Sequence, residues 1–325
     1  MNHSILNISI NKGAARVKAA LVIGGLAFIV ALVVSANTSY FGELLLVAMS
    51  KETVDGAWGL FSSAFIICII VSCLSYGLLG LPDRLQAWIV WGLLASGALL
   101  TFYSFDLSFS FISSKIPFLL SQGAVTTIYV SVISIALAFF FAMLGATAKL
   151  SGVSVLKGIG DFYTSYFRGV PLLVQLFLIY LGLPQLGIIV SPIPAAIIAL
   201  SLVYGAYMTE IFRSGIQSIA IGQWEAADAL GLARLRTFQK IILPQAMRLI
   251  VPPTGNQFIA MLKDSSLVSV VGVWDIMFIA RTQGRADFKI LEMLITASIV
   301  YWLMSIVLEL LQQRIEKFYS KSIQH

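Results

Sequence analysis

The chain has almost none of the side chains from which catalytic and metal sites are built. Histidine occurs only as His3 and His325, which excludes a histidine-based catalytic or metal cluster. No G-x-x-x-x-G-K-[ST] loop is present, so the chain does not bind ATP by that device. The two cysteines, Cys68 and Cys73, are spaced to lie on different faces of a helix, which disfavours a disulfide between them. The chain is therefore predicted not to be an enzyme.

Charge is also scarce. Charged residues make up 11% of the chain and hydrophobic residues 59%, whereas soluble domains contain about 25% charged residues. Long segments carry no charge at all: 19–42, 56–82, 85–105, 116–148 and 169–209. A membrane-spanning helix needs about 20 apolar residues, so each of the first four segments is predicted to hold one helix, the first at about 19–36.

The last uncharged segment is too long for a single helix. Its middle, residues 181–194, contains three prolines and two glycines, so we expect two helices joined by a short non-cytoplasmic turn. Two further spans are predicted at about 246–270 and 290–311. The expected fold class is therefore an all-α membrane protein with eight transmembrane helices.

Lysine and arginine indicate the orientation of these helices. With the N-terminus inside, most of the 21 basic residues fall in cytoplasmic segments, and the outer segments receive only Lys51, Lys115, Arg281, Arg285 and Lys289. Both termini are therefore predicted to be cytoplasmic. The first span is expected to be an uncleaved anchor, because it is too long for a signal peptide and no clear cleavage site follows it. The net charge of +6 reflects this bias and does not indicate a nucleic-acid partner.

A polar segment of a different kind occupies residues 209–244. Its anchor positions are Glu225, Ala226, Ala227, Gly231, Ile241, Leu243 and Pro244. This spacing predicts two short helices around a glycine turn, with Pro244 marking the start of the next helix. Leu235, Phe238 and Ile242 recur at helical spacing, so the second short helix is expected to bury one face.

The anchor positions resemble the cytoplasmic coupling loop, or EAA loop, of permeases of ATP-binding-cassette (ABC) importers. Other motifs follow in the order found in polar amino acid permeases: YTSYFRGVPLLVQLF (163–177), GAYMTEIFRSGI (205–216), GQWEAADALG (222–231), ILPQAMRLIVPP (242–253) and KDSSL (263–267). The similarity covers about 120–315 and implies a type I importer core of five transmembrane helices, preceded here by about three extra helices. Ser265 stands where the subfamily usually has threonine, which keeps a hydroxyl.

The resemblance divides the chain into three parts. Residues 1–115 form an extension with about three transmembrane helices, in which no motif is found. Residues 116–315 form the permease core, with the coupling loop at 214–244, and residues 316–325 form a cytoplasmic tail. The extra helices either pack around the core or contact a partner permease, and nothing in the sequence chooses between these.

The resemblance also implies a function and a set of partners. The chain would be the permease subunit of an importer of polar amino acids, commonly histidine, glutamate, glutamine, arginine or opines, in a bacterial inner membrane. Its partners would be two ATP-binding subunits, a second permease of the same or a related chain, an extracytoplasmic amino acid binding protein and membrane lipid. ATP and Mg²⁺ would be bound by the partner subunits, so no cofactor is expected here. The competing class is a secondary transporter driven by an ion gradient, which predicts membrane-embedded acids that most spans lack.

The anchor residues have expected roles in coupling ATP hydrolysis to transport. Ala226 and Ala227 keep the first short helix slim enough to lie in a groove of an ATPase. Glu225 offers a carboxylate near the start of that helix, where the helix dipole favours it. Gly231 supplies a turn conformation that other residues adopt only with strain. The alternative is an ordinary solvated amphipathic loop, and the presence of all the remaining anchors favours coupling.

A candidate substrate path follows the coupling loop. Pro252-Pro253 is expected to interrupt the helix, and the path residues are Asn256, Gln257, Lys263, Asp264 and Ser265. Charged groups at membrane depth usually face a cavity or each other, and broken helices often form substrate sites. Lys263 and Asp264 would supply the cation and the anion that a zwitterionic amino acid needs. Alternatively, these two residues pair locally near the outer interface and stabilise the fold.

Three other polar positions have simpler interpretations. Glu210 and Arg213 are three residues apart on one helical face and are expected to form an ion pair. Arg168 is interpreted as a cytoplasmic topology anchor. Gln175 is expected to form a hydrogen bond with a neighbouring helix.

Overall fold

The computed structural model describes residues 15–30, 57–103, 105 and 107–320. Every regular element in this described part is helical, as predicted for an all-α membrane protein. The chain separates into two compact units, Met1–Asp106 and Leu107–His325. The second unit contains all the motifs found in the sequence.

The described part of the first unit consists of three helices. These are α1 at residues 15–30, α2 (Ala57–Leu78) and α3 (Asp83–Tyr103). A tight turn joins α2 to α3, and the carbonyl of Pro82 accepts a hydrogen bond from the Leu85 amide at 2.9 Å as α3 begins. The uncharged segments 56–82 and 85–105 thus each hold one helix, as predicted, whereas residues 31–36 of the first predicted span lie outside the described residues.

The second unit contains the remaining helices. They are α4 (Phe109–Leu150), α5 (Ser154–Gly169), α6 (Leu172–Leu186), α7 (Pro192–Gln217), α8 (Ile221–Ala229), α9 (Arg234–Val271), α10 (Ile276–Ala286) and α11 (Ile290–Ser320). Helices α4 and α9 each include a π-helical turn, at Leu119–Ala124 and Phe238–Ile242 respectively. Helix α6 passes from an α-helical first part (Leu172–Phe177) through a π-helical turn to a 3₁₀ end.

Up to five membrane crossings can be assigned in this unit. Helices α4, α7 and α11 are each long and apolar enough to cross a membrane. Helices α5 and α6 form a pair bent by 104°, and α9 and α10 form a pair bent by 50°. With each bent pair counted as one span, the unit has up to five crossings by length and composition, in agreement with the predicted core of five transmembrane helices. The division of the long uncharged segment is confirmed, because α6 ends at Leu186, Gly187 adopts a left-handed conformation, and α7 begins at Pro192.

The expected interruption at Pro252-Pro253 is wrong, because α9 continues through both prolines. A proline in a membrane helix is tolerated where side chains and neighbouring helices hydrogen-bond the surrounding backbone. Here the Thr254 hydroxyl donates to the carbonyl of Ile250 at 2.7 Å, and Gln312 Nε2 of α11 donates to the carbonyl of Pro252 at 3.1 Å.

Small residues dominate the contact between α4 and α7. The buried small residues on the two helices include Ala138, Ala142, Gly145, Ala146, Ala195, Ala196, Ala199, Gly205 and Ala206. A Cβ atom on Gly145 would lie only 2.4 Å from Thr209 Oγ1, and one on Gly205 would lie 2.6 Å from the Tyr163 hydroxyl of α5. Small side chains of this kind let membrane helices approach closely, so the two glycines hold α4, α5 and α7 together.

We predict that Gly145→Val destabilises the core. The branched side chain would be forced against Thr209, and overpacking of this kind costs about 1–3 kcal/mol. The measurement is the melting temperature of the purified protein in detergent. Gly158→Val on α5 is the matched control, because a Cβ there meets no atom within 4 Å. Equal melting temperatures for the two variants would contradict the packing described here.

Candidate functional site

The coupling loop has the helix and the glycine turn that its spacing predicts. Helix α8 contains the EAA residues and ends in a turn where Gly231 has a φ of 69°. In that turn the Gly231 amide donates to the carbonyl of Asp228 at 3.0 Å, and the Leu232 amide donates to the carbonyl of Ala227 at 3.1 Å. This is the Schellman arrangement, in which a left-handed residue satisfies the last carbonyls of a helix. Gly231 therefore has the conformational role expected of it.

Helix α8 packs on the start of α9 and exposes its acidic residue. Ala227 is buried in this contact, whereas Glu225 and Ala226 are exposed. The side chain of Gln245 ties the two helices together, because its Nε2 donates to Gln223 Oε1 at 3.2 Å and to the carbonyl of Ile241 at 2.9 Å. The loop is therefore braced on one side and open to a partner on the other.

The remaining anchors lie at the start of α9. Ile241 and Leu243 are half-buried, and Pro244 is exposed in the first turn after the π-helical turn. The sequence predicted that a helix begins at Pro244. In the structure α9 begins earlier, at Arg234, and continues through Pro244 without a break. The roles of these anchors in coupling stay a prediction.

The expectation that Leu235, Phe238 and Ile242 share one buried face is wrong. Ile242 is fully buried and Phe238 half-buried, but Leu235 is 67% exposed. The π-helical turn at Phe238–Ile242 contains more residues per turn than an α-helix and shifts the register of the faces. As a result Leu235 joins Ile221 and Leu230 as large apolar side chains exposed around α8, a feature that the periodicity of the sequence did not reveal.

A cavity of about 490 Å³ lies where the α5–α6 bend meets α7 and α9. Its polar and aromatic lining consists of Arg168, Tyr204, Tyr207, Gln257 and Asp264. The Arg168 guanidinium lies 5.4 Å from the centre of the Tyr207 ring, within reach of a cation–π interaction. The Tyr204 hydroxyl donates to Asp264 Oδ2 at 2.7 Å. The cavity thus contains one cationic and one anionic group, each oriented by a tyrosine of α7.

The bend between α5 and α6 places Arg168 at the edge of this cavity. A helix that stops abruptly leaves its last carbonyls without hydrogen-bond partners in the helix. At this bend the side chain of Gln175 is the hydrogen-bond donor. Its Nε2 donates to the carbonyl of Phe167 at 3.1 Å and to that of Val170 at 2.8 Å. Gln175 of α6 therefore braces the bend, and its bond to Phe167 of α5 confirms the predicted hydrogen bond to a neighbouring helix. Arg168, interpreted from the sequence only as a topology anchor, was missed as a cavity residue, although the bend-forming Pro171 nearby was a signal.

The predicted path residues do not all lie together. Gln257 and Asp264 line the cavity, but Asn256 Oδ1 accepts a hydrogen bond from Gln312 Nε2 of α11 at 3.0 Å. Lys263 lines a separate cavity against α10 and α11, and Ser265 is buried, with its hydroxyl donating to the carbonyl of Leu262.

The alternative prediction, that Lys263 and Asp264 pair locally, is wrong. Asp264 is bonded by Tyr204, and the structure forms no ion pair between the two neighbours. Successive residues of a helix point about 100° apart, so the two charges enter different cavities. The two neighbours therefore do not together provide the cation and the anion of one site.

A network of charged groups joins the three helices behind the cavity. Lys149 of α4, whose side chain is 9% exposed, contacts Asp161 Oδ1 of α5 at 2.8 Å and Glu210 Oε1 of α7 at 2.5 Å. Arg213 completes the network through Glu210 Oε2 at 2.8 Å, so the predicted Glu210–Arg213 pair is confirmed. Helix α5 ends at the cavity and α7 leads into α8. The network therefore connects the two candidate functional regions.

We predict that Lys149→Met destabilises this junction, and that Lys149→Arg, which keeps the positive charge between Asp161 and Glu210, destabilises it less. Removing one partner of a buried ion pair costs about 3–5 kcal/mol, and the half-exposed Asp161 reduces this figure. Thermal unfolding of the purified variants measures the effect. A melting temperature equal to that of the wild type for Lys149→Met would contradict a structural role for the network.

Comparisons with known proteins identify relatives of this arrangement. The sequence model of the family of binding-protein-dependent transport system inner membrane components matches residues 138–321. The L-cystine transport system permease protein TcyB of Bacillus subtilis is 38% identical over 200 residues, which cover 61% of this chain and 86% of TcyB. The arginine transport system permease protein ArtQ of the same organism is 38% identical over 213 residues, which cover 65% of this chain and 97% of ArtQ.

Solved structures show the same fold. The structure described as an amino acid ABC transporter with histidines is 32% identical, with a TM-score of 0.62 over 65% of this chain and 99% of its own. An inward-facing structure of the MetNI methionine ABC transporter is 19% identical, with a TM-score of 0.55 over 62% of this chain and 97% of its own. The second similarity concerns the fold alone.

Proposed function

This chain belongs to the family of binding-protein-dependent transport system inner membrane components, and from this premise we propose that it is the permease subunit of an ABC importer of polar amino acids. It would lie in a bacterial cytoplasmic membrane with both termini inside. Two ATP-binding subunits would bind ATP and Mg²⁺ and carry out the hydrolysis. A second permease, of the same or a related chain, and an extracytoplasmic amino acid binding protein would complete the importer.

The cavity with its two opposite charges carries the proposal for the substrate. A free amino acid has a carboxylate and an ammonium group, and each needs a charged or hydrogen-bonding partner away from water. Arg168 would bind the carboxylate, and Asp264, oriented by Tyr204, would bind the ammonium. A volume of about 490 Å³ falls within the range of small-molecule sites, which is about 300–1,000 Å³. Tyr207 and Gln257 would then face the side chain of the substrate.

The surface around α8 supports the proposal for the ATP-binding partners. Glu225 and Ala226 are exposed on a short helix, and the large apolar side chains of Ile221, Leu230 and Leu235 are exposed around it. Contiguous exposed apolar side chains next to polar ones are typical of a protein interface. Because only the short turn at 218–220 separates α7 from α8, a force applied to α8 would reach Tyr204 and Tyr207 along α7.

We predict that Asp264→Asn reduces uptake of the substrate amino acid. Losing a charge-assisted hydrogen bond costs about 1.5–3 kcal/mol, which corresponds to a rise of roughly 10- to 100-fold in the half-saturation concentration. Uptake of radiolabelled amino acids by proteoliposomes containing the assembled importer measures this effect. Lys263→Gln is the matched control, since it removes the neighbouring charge outside the cavity. Normal uptake by Asp264→Asn would refute the substrate site.

We also predict that Gly231→Val uncouples transport from ATP hydrolysis while the complex still assembles. A Cβ at this glycine meets no atom within 4 Å, so the substitution affects only the left-handed backbone conformation. That conformation costs a residue with a side chain about 1–2 kcal/mol.

The measurement combines affinity purification of the tagged chain with its ATPase and uptake rates. An ATP-binding subunit and a second permease should purify with both wild type and variant, but uptake per ATP hydrolysed should fall in the variant. Asparagine tolerates this conformation, so transport by Gly231→Asn should stay coupled to ATP hydrolysis. A chain that purifies alone under conditions preserving other importers would refute the proposed function itself.

A further inference from the structure

The turn between α10 and α11 has an aromatic residue in a position that normally requires glycine. Phe288 has a φ of 56° and is 95% exposed. Its amide donates to the carbonyl of Arg285 at 3.3 Å, and the Lys289 amide donates to the carbonyl of Gly284 at 2.7 Å. This is the same hydrogen-bond pattern as in the turn at Gly231. Among the described residues, Phe288 is the one residue other than glycine with a positive φ.

The turn is held tightly on both sides. The backbone of α11 passes so close to Gly284 that a Cβ there would lie 2.8 Å from the Cα of Ile290. Lys115 of α4 contacts Asp287 Oδ2 at 3.1 Å and Gln283 Oε1 at 2.8 Å. Phe288 therefore projects from a rigid frame. A side chain held in an unfavourable backbone conformation, without burying its ring, is the kind of strain that is found at functional sites.

The turn lies at the end of the core opposite the coupling loop. Helix α10 starts beside the middle of α4, where the Ile276 amide donates to Thr127 Oγ1 at 3.3 Å. It ends beside Lys115, close to the first residue of α4. The other end of α4 carries Lys149 and the network that leads to α8. If α8 faces the cytoplasm, as proposed above, then Phe288 faces the outside of the cell.

The surroundings of Phe288 are basic. Arg285 is exposed and Arg281 half-buried, and neither forms an ion pair with another described residue. Lys289 Nζ lies 5.1 Å from the centre of the Phe111 ring. The one acidic residue of the turn, Asp287, is already paired with Lys115. The surface thus presents an exposed aromatic ring with unpaired positive charge around it, and aromatic residues and arginine dominate the binding energy of protein interfaces.

We propose that Phe288, which follows Arg281 and Arg285 of α10, is the anchor on which the extracytoplasmic binding protein docks. This inference rests on the proposed function, which supplies the partner. The matching surface would be an apolar pocket with an acidic rim. A lipid bilayer accepts an aromatic ring in many orientations and gains nothing from a rigid, strained turn. A protein pocket gains affinity from it, because a backbone already held in place loses less entropy on binding than a flexible loop does.

The first test places a photo-crosslinker at this position in intact cells. Phe288→p-benzoylphenylalanine, activated by light, should form an adduct that mass spectrometry identifies as an extracytoplasmic binding protein. Ile189→p-benzoylphenylalanine is the matched control, since Ile189 is an apolar residue, 88% exposed, in the α6–α7 turn. The adduct from position 288 should be several times more abundant, and Arg285→Glu should diminish it. An adduct with phospholipid alone, or equal adducts from both positions, would overturn the proposal.

The second test uses that binding protein, once it has been purified, to stimulate ATP hydrolysis by the importer in lipid nanodiscs. Phe288→Gly suits the left-handed turn and should fold at least as stably as wild type, as judged by its melting temperature. Phe288→Gly should nevertheless raise the half-maximal concentration of binding protein roughly tenfold. Phe288→Trp, which keeps an aromatic ring, should leave that concentration near the wild-type value. An unchanged half-maximal concentration for Phe288→Gly overturns the docking site alone. A wild-type importer that no binding protein stimulates overturns the proposed function and the docking site together.

Discussion

Where α4 crosses α7, the two backbones lie so close that a Cβ on Gly145 would collide with Thr209. This close packing in an apolar environment depends on small side chains, because lipid provides no hydrophobic drive for helices to associate. It determines where α7 lies, and α7 carries Tyr204 and Tyr207 to the cavity before it leads into α8. The position of the cavity and that of the coupling loop therefore depend on the same contact.

The charged network behind this contact adds a second constraint. The Lys149 side chain is only 9% exposed, and an ammonium withdrawn from water is tolerated only when it is paired and hydrogen-bonded. Asp161 and Glu210 provide the pairing, and the Thr164 hydroxyl lies 2.9 Å from the same nitrogen. Because these partners come from α5 and α7, satisfying one charge aligns the helix that ends at Arg168 with the helix that continues to the coupling loop. Movement at either end would have to be carried by this junction.

The turns that end α8 and α10 share one hydrogen-bond pattern but have different residues at the left-handed position. Gly231 ends α8 without strain, whereas Phe288 occupies the equivalent position after α10. The first turn could be predicted from the sequence, because glycine after a short helix is a recognised stop signal. The second could not, since phenylalanine indicates burial rather than a turn. The backbone of this turn is held by its close approach at Gly284 and by Lys115 of another helix.

Features that depend on a few neighbouring residues were determined by the sequence alone. The apolar segments, the break before Pro192, the turn at Gly231 and the Glu210–Arg213 pair all follow from hydropathy, backbone preference or spacing within one helical turn. The family resemblance added the order of the core helices and the coupling loop.

Features that depend on distant residues were decided only by the tertiary structure. Gln312 of α11 donates a hydrogen bond to the carbonyl of Pro252 within α9, and Tyr204 and Tyr207 of α7 contact Asp264 and Arg168. The exposure of Leu235 follows from a π-helical turn that periodicity does not show. Hydropathy and backbone preference act over a turn or two of chain. A cavity forms only where surfaces of separate helices meet, and which side chains meet there depends on how those helices pack.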